Sequence, residues 1–230
     1  MIMEKGIKHI FFDLDHTLWD FERNSSLAFQ EIFEKHQVPV KIEDFLELYI
    51  PINNTYWADY RNDRINKEEL RYGRLSDTFK AMNIRVERKQ IDLLSEDYIA
   101  HLPKNNYLFE DVHSTLNYLQ QKYSLHVITN GFSEVQVLKL KNSKIEDYFM
   151  TVTTSEEAGV KKPHPDIFGY ALEKAKALPT ESLMIGDNLE ADIMGAENFG
   201  IKAVLFGETV QTSNYSGKKI NKLKQLLEFI

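Results

Sequence analysis

The chain has 230 residues, 43% hydrophobic and 27% charged, which is ordinary for a globular protein and long enough for one large domain or two small ones. Its formal net charge of −7 argues against wrapping a nucleic-acid polymer, which needs a basic face, but leaves room for a small anionic substrate at a locally positive site. With no cysteine, disulfides and thiolate-bound zinc are excluded. Residues 1–12 lack a signal-peptide pattern and no apolar run is long enough to span a bilayer, so a cytoplasmic location without a membrane partner is expected.

Residues 7–13 read as a short buried strand that runs out into Asp13-Leu14-Asp15. From 23 to 98 the texture is helical. Helices are predicted over 25–36, with Asn24 or Ser25 as N-cap, over 43–62, with Pro51 breaking or kinking it, and over 67–82 and 87–102. After Pro103 strands and helices alternate. Helices are predicted over 111–122, 133–141, 165–177 and 190–199, and strands over 125–129, 148–153, 182–186 and 201–206. A polar connection over 211–219 and an amphipathic helix over 220–229 complete the chain. This order predicts an α/β fold, a Rossmann-like parallel sheet.

Asp13 and Asp15 are two positions apart where a strand ends, so both carboxylates should point into one crevice at the sheet's carboxyl edge. Two close anions repel unless a cation or a shared proton relieves them. The pattern therefore points to a magnesium site, a nucleophile beside a general acid, or both. Three further elements end in polar groups at the same edge: Thr129-Asn130-Gly131, Lys161-Lys162-Pro163, and Gly186-Asp187-Asn188 with Asp192 beyond. From Asp15 to Thr129 is 114 positions, against 33 and 25 for the next two gaps. Single crossover units explain the short gaps, and a helical domain inserted after the first strand, over the sheet's carboxyl edge, explains the long one.

These four motifs, in this order, resemble those of the haloacid dehalogenase-like phosphohydrolases: Asp-x-Asp-x-Thr, a Thr after an apolar strand, a Lys before Pro, and Gly-Asp-x-x-x-x-Asp. The resemblance covers essentially the whole chain. It implies a catalytic core over 1–18 and 106–230 and an α-helical cap domain over 19–105. It implies that Asp13 is the nucleophile, Asp15 the general acid and then base, and Lys162 the cation on the phosphate, with Lys161 its competitor. Thr129 and Asn130 would bind phosphate, and Asp13, Asp15 (through its carbonyl) and Asp187 would hold Mg2+. For Asp192 three readings stand: contact with a metal-bound water, a charge pair with Lys162, or an ordinary acid in a helix's first turn. Thr17 reads as a turn residue, with help in orienting the nucleophile as a further role, and His16, His113, His126 and His164 as surface or packing residues. Asp15 favours phosphoesters over carbon–halogen bonds, because an alkoxide needs a proton to leave and a halide does not.

Within the inserted segment, Asn53, Trp57 and Tyr60, followed by Arg71 and Arg74, together with Ile128-Thr129-Asn130-Gly131-Phe132, resemble the pyrimidine 5′-nucleotidase branch. That resemblance implies substrate contacts at Asn53, Trp57 and Arg74, against core packing for Trp57 and Tyr60 and a surface ion pair for Arg74. The expectation is a Mg2+-dependent phosphomonoesterase acting on a small-molecule nucleoside monophosphate, as a monomer or homodimer. A sugar-phosphate or phosphoglycolate phosphatase, a phosphomutase, and an inactive phosphate-binding regulatory protein are the alternatives.

Overall fold

The computed structural model describes residues 6–207 and 215–230. Its elements, in chain order, are β1 (His9–Phe12), α1 (Phe21–Lys35), α2 (Ile42–Arg61), α3 (Lys67–Ala81), α4 (Arg88–His101), α5 (Val112–Leu119), β2 (Ser124–Thr129), α6 (Ser133–Asn142), β3 (Phe149–Thr154), α7 (Ser155–Ala158), α8 (Pro165–Ala175), β4 (Ser182–Gly186), α9 (Gly195–Asn198), β5 (Lys202–Phe206) and β6 (Lys219–Ile220). The chain divides into two compact units, Met1–Phe21 with Asn106–Ile230, and Glu22–Asn105. Among the described residues no helix is long and apolar enough to cross a membrane.

The first unit is an α/β unit around one six-stranded sheet of order β3-β2-β1-β4-β5-β6, parallel throughout. Apolar, β-branched strands with helical crossovers produce this arrangement, because parallel strands are covered on both faces. Ile10, Phe11 and Phe12 of β1 are fully buried. On one face Phe11, Ile128 and Met184 pack with Ile167 and Phe168 of α8 and with Ala196. β1 lies between β2 and β4, with Phe12 level with Val127 and Ile185. The chain leaves β1 toward one side for β2 and β3 and later builds β4 to β6 on the other. The carboxyl end of β1 is thus the switch point, where open parallel sheets bind ligands.

The second unit is helical, with α2 packed on α3 and α3 on α4. Its interior is aromatic: Phe29 stacks on Tyr98 at 4.3 Å and meets Tyr49 and Phe45 edge-on at 4.7 and 4.9 Å. Asn66 opens α3 with a capping box to Glu69.

Several predicted elements differ. α1 begins at Phe21, so neither Asn24 nor Ser25 caps it; both are buried inside the helix, and the Ser25 hydroxyl bonds the Tyr98 hydroxyl at 2.8 Å. α2 runs unbroken through Pro51, which lies on the exposed side, where the backbone groups a proline frees can be solvated. The helix predicted over 190–199 is a π-helical turn, Leu189–Met194, followed by the single turn α9. The helix predicted over 220–229 is instead β6 and a 3-10 segment, Leu223–Glu228, because residues 219–220 pair with the edge strand β5. The short helix α7 was not predicted. In the polar connection over 211–219, residues 211–214 lie outside the described residues.

Candidate active site

β1 delivers Asp13, whose backbone N–H donates to the Ile185 carbonyl at 2.8 Å, so the sheet ladder continues to that residue. β2 ends in Thr129 and β4 in Gly186, one residue before Asp187. Three adjacent strand ends thereby converge.

Lys162 lies at the centre and is 1% exposed. Its Nζ donates to Asp13 Oδ1 at 2.6 Å and to the Ile128 carbonyl at 2.6 Å, and lies 2.6 Å from Asp192 Oδ1. All three N–H donors of the ammonium are therefore engaged. Burial works against its charge, but Asp13 and then Asp192 outweigh that and push its pKa upward. Of the two neighbouring lysines it is thus Lys162 that reaches Asp13. It precedes Pro163 through a cis peptide bond.

Asp192 is 1% exposed, and of its sequence readings the structure displays the charge pair with Lys162. The wide π-helical turn carries it back against Gly186, where an added Cβ would lie 2.3 Å from Asp192 Oδ2, so only glycine fits. The same oxygen accepts the Asn188 N–H at 3.0 Å.

Asp13, Asp187 and Asp192 can each offer a carboxylate oxygen within 4.8 Å of the others. Burial raises Asp13 well above the usual carboxylate range, and burial followed by the Asp192 charge raises Asp187 to about 8. Both shifts express one cost: a single buried ammonium does not offset three neighbouring carboxyl groups, so they do not readily ionise together. Hard oxygen donors short of positive charge fit a divalent cation such as Mg2+, which would let them ionise. Thr17, fully buried, directs its hydroxyl at Asp187 Oδ1 across 3.5 Å, a contact that a turn reading of Thr17 does not anticipate.

Thr129 Oγ1 accepts from the Gly131 N–H at 3.1 Å and from Gln136 Nε2 at 2.8 Å. With both lone pairs engaged, its own O–H is left as a donor. Asn130 is spent differently from the sequence expectation. Its side-chain oxygen accepts the Lys162 N–H at 2.8 Å and its amide donates to the Lys162 carbonyl at 2.9 Å. The side chain thus clamps the Lys162 backbone.

Asp15 lies on the turn beyond β1, its side chain 20% exposed. Two partners that sequence reasoning missed hold it: Gln136 Nε2 donates to Oδ2 at 2.8 Å and Lys139 Nζ to Oδ1 at 2.5 Å. Both are buried on α6. A legible signal exists, because positions 132, 135, 136, 139 and 140 fall on one face at helical spacing, and that face is the buried one.

In the helical unit, Asn53 and Arg74 come together. Arg74 Nη1 donates to Asn53 Oδ1 at 3.0 Å, as does the Tyr49 hydroxyl at 3.3 Å, and the guanidinium lies 5.0 Å from the Tyr98 ring centre. Arg74 is 2% exposed, so the surface ion-pair reading is incorrect; the aromatic interior offers it ring faces and an amide instead. Trp57 is half-buried and meets Tyr60 edge-on at 5.6 Å. The four histidines do not form a metal set. His164 accepts the Asp166 N–H at the start of α8, His16 packs on Phe21, His113 faces Tyr148, and His126 is buried in the sheet.

Residues 10–206 match the family model described as haloacid dehalogenase-like hydrolase. The chain is 36% identical over 194 residues to the pyrimidine 5′-nucleotidase YjjG of Escherichia coli, covering 84% of this chain and 82% of that protein. It is 32% identical over 241 aligned positions to a glyceraldehyde 3-phosphate phosphatase of Pyrococcus furiosus, covering 98% and 94%. Among solved structures, the magnesium-bound HAD-hydrolase YfnB of Bacillus subtilis superposes with a TM-score of 0.87 at 26% identity, covering 97% of this chain and 98% of that one. The chain therefore belongs to the haloacid dehalogenase-like hydrolases.

Proposed function

We propose that this hydrolase cleaves phosphomonoesters through a phospho-aspartate on Asp13, depends on Mg2+, and acts on pyrimidine nucleoside 5′-monophosphates. The observation that carries the reading is the buried Asp13–Lys162–Asp192 set at the carboxyl end of β1, with Asp15 two residues on and Thr129 on the next strand. Asp13 attacks phosphorus, and the ester oxygen leaves with a proton from Asp15. Asp15 then removes a proton from the water that attacks phosphorus, releasing phosphate and restoring the Asp13 carboxylate. Phosphoryl transfer is mostly positioning and charge stabilisation, so the fixed Lys162 ammonium and the Thr129 hydroxyl serve the phosphoryl oxygens.

Asp13, Asp187 and the Asp15 carbonyl are the groups that would hold the metal. When bound, Mg2+ would offset negative charge shared by the nucleophile and the phosphoryl group. The cluster's excess of buried carboxylate supports that choice.

For the substrate, support comes from the YjjG similarity together with Asn53, Trp57 and Arg74 in the helical unit. Trp57 presents a half-buried indole suited to stacking on a base, while the Asn53–Arg74 pair braces the interior of the helical unit. The similarity to a glyceraldehyde 3-phosphate phosphatase favours a second reading, a small sugar phosphate. Phosphate release from nucleoside 5′-monophosphates, glyceraldehyde 3-phosphate and phosphoglycolate, with Mg2+ and again in EDTA, tests both. Mg2+-dependent turnover selective for pyrimidine monophosphates is expected. Equal or faster turnover of the sugar phosphates contradicts the nucleotide reading, and unchanged turnover in EDTA contradicts the metal.

A further inference from the structure

The buried face of α6 joins two polar side chains to the apolar Val135 and Leu140. Its polar residues Gln136 and Lys139 are 0% and 2% exposed, whereas its apolar neighbours Val137 and Leu138 are 56% and 45% exposed. Burying a lysine and an amide is unfavourable, and apolar residues of similar volume would stabilise the fold at least as well. What the two buried groups share is one carboxylate, each donating to a different oxygen of Asp15.

The surroundings fit that arrangement. The Lys139 ammonium lies 4.2 Å from the Trp19 ring centre and 5.2 Å from that of Phe21, so rings enclose it while Asp15 takes its charge. Trp19 belongs to the turn that carries Asp15, and its carbonyl accepts the His16 N–H at 3.0 Å. The lysine therefore braces both the side chain and the turn. Gln136 does a second task with the same nitrogen, donating to Asp15 Oδ2 and to Thr129 Oγ1, both at 2.8 Å. That amide crosses the space a Cβ at position 131 would occupy, 1.7 Å away, which explains Gly131 in the Thr129-Asn130-Gly131 turn.

We propose that Gln136 and Lys139 are positioning residues for Asp15: they fix its carboxylate in one orientation and at one separation from the Thr129 hydroxyl. A carboxylate on a turn is otherwise free to rotate, and proton transfer to a leaving oxygen needs it within hydrogen-bond reach. Lys139 is thus a second buried ammonium with a different task from Lys162. This role rests on the reading of Asp15 as the group that protonates the leaving oxygen.

The test exploits leaving-group chemistry. A nucleoside alkoxide must be protonated to leave, whereas p-nitrophenolate leaves largely unaided. In single turnover, Lys139→Met is expected to slow phospho-enzyme formation from UMP by about 10- to 100-fold with KM within about twofold. From p-nitrophenyl phosphate the same step should slow less than about threefold, while water attack on the phospho-enzyme, which Asp15 assists as base, should slow alike for both substrates. Lys139→Arg should restore most of the UMP rate, and adding Lys139→Met to Asp15→Asn should lower kcat by less than about threefold, since the group being positioned has already lost its function. Equal slowing of phospho-enzyme formation from both substrates, or no slowing from either, would overturn the positioning role. Lys139→Leu carries the same prediction should Lys139→Met not fold, whereas Gln136→Leu should slow both substrates because Gln136 also holds Thr129. Asp15→Asn measured alongside separates the two failures. An Asp15→Asn variant that itself shows no leaving-group dependence rejects the acid assignment, whereas a dependent Asp15→Asn with an indifferent Lys139→Met rejects the positioning role alone.

Discussion

The interior of the sheet and the carboxyl end of β1 bury ionisable groups in opposite ways. Within the sheet, His126, level with Phe11 of β1, is 1% exposed and stacked on Phe11 at 4.6 Å, with its ring nitrogens 2.8 Å from the Thr151 hydroxyl and 3.1 Å from His9 Nδ1. It has no carboxylate partner among those contacts, and burial, then the His9 charge, lowers its pKa to about 4. At the carboxyl end of β1, Lys162 is equally buried, but Asp13 and Asp192 hold it charged. The sheet interior removes charge to permit packing; the strand end surrounds charge with charge. Buried polarity marks chemistry only where the charge has been kept, because keeping it requires partners that packing alone does not supply.

The comparison can be broken at several points. Asp13→Asn should abolish turnover, by more than about 10³-fold, because the nucleophile is lost while the fold is retained; steady-state phosphate release measures it, and near-normal rates would reject the assignment. Lys162→Met should lower kcat by about 10²- to 10³-fold. It should also destabilise the protein by about 3 kcal/mol, since Asp13 and Asp192 would be left buried without their cation. Urea unfolding without metal checks this, and unchanged stability would mean the lysine is not what offsets those acids. Trp57→Ala should raise KM for UMP by about tenfold and leave p-nitrophenyl phosphate nearly unaffected, if the indole stacks on a base.

The smallest effect belongs to the sheet interior. His126 is neutral when folded and has an ordinary pKa near 6.5 when unfolded, so below that pH the unfolded chain binds the extra proton. Stability from this residue is present above about pH 6.5 and falls as pH approaches 4, by about 1–3 kcal/mol. His126→Leu should flatten that part of the stability–pH profile while leaving kcat at neutral pH unchanged. An identical profile in the variant would show that His126 does not carry it.

Legibility followed the same division. The parallel sheet and the acids at strand ends were readable because strand periodicity fixes which side chains share an edge, and Asp13, Thr129, Lys162 and Asp187 each stand at a fixed offset from an apolar run or a proline. Gln136 and Lys139 went unread because polar residues on a helix ordinarily mark its solvent face. Here the buried face is shared by Val135 and Leu140 with two polar groups. The π-helical turn at Leu189–Met194 is likewise hidden, since its sequence has ordinary helical composition. Asn130 stands in the loop its sequence position indicates, but nothing local reveals that a residue 32 positions away takes up both ends of its amide.

The central claim is that Asp13 takes up the phosphoryl group. Acid-quenching the enzyme during turnover of UMP with Mg2+ and mapping phosphorylated peptides by mass spectrometry tests it most directly. A phosphoryl group on Asp13, absent from Asp13→Asn, is the predicted result. Sustained turnover with the phosphoryl group on another residue, or with no phospho-enzyme trapped at any time during single turnover, would contradict it.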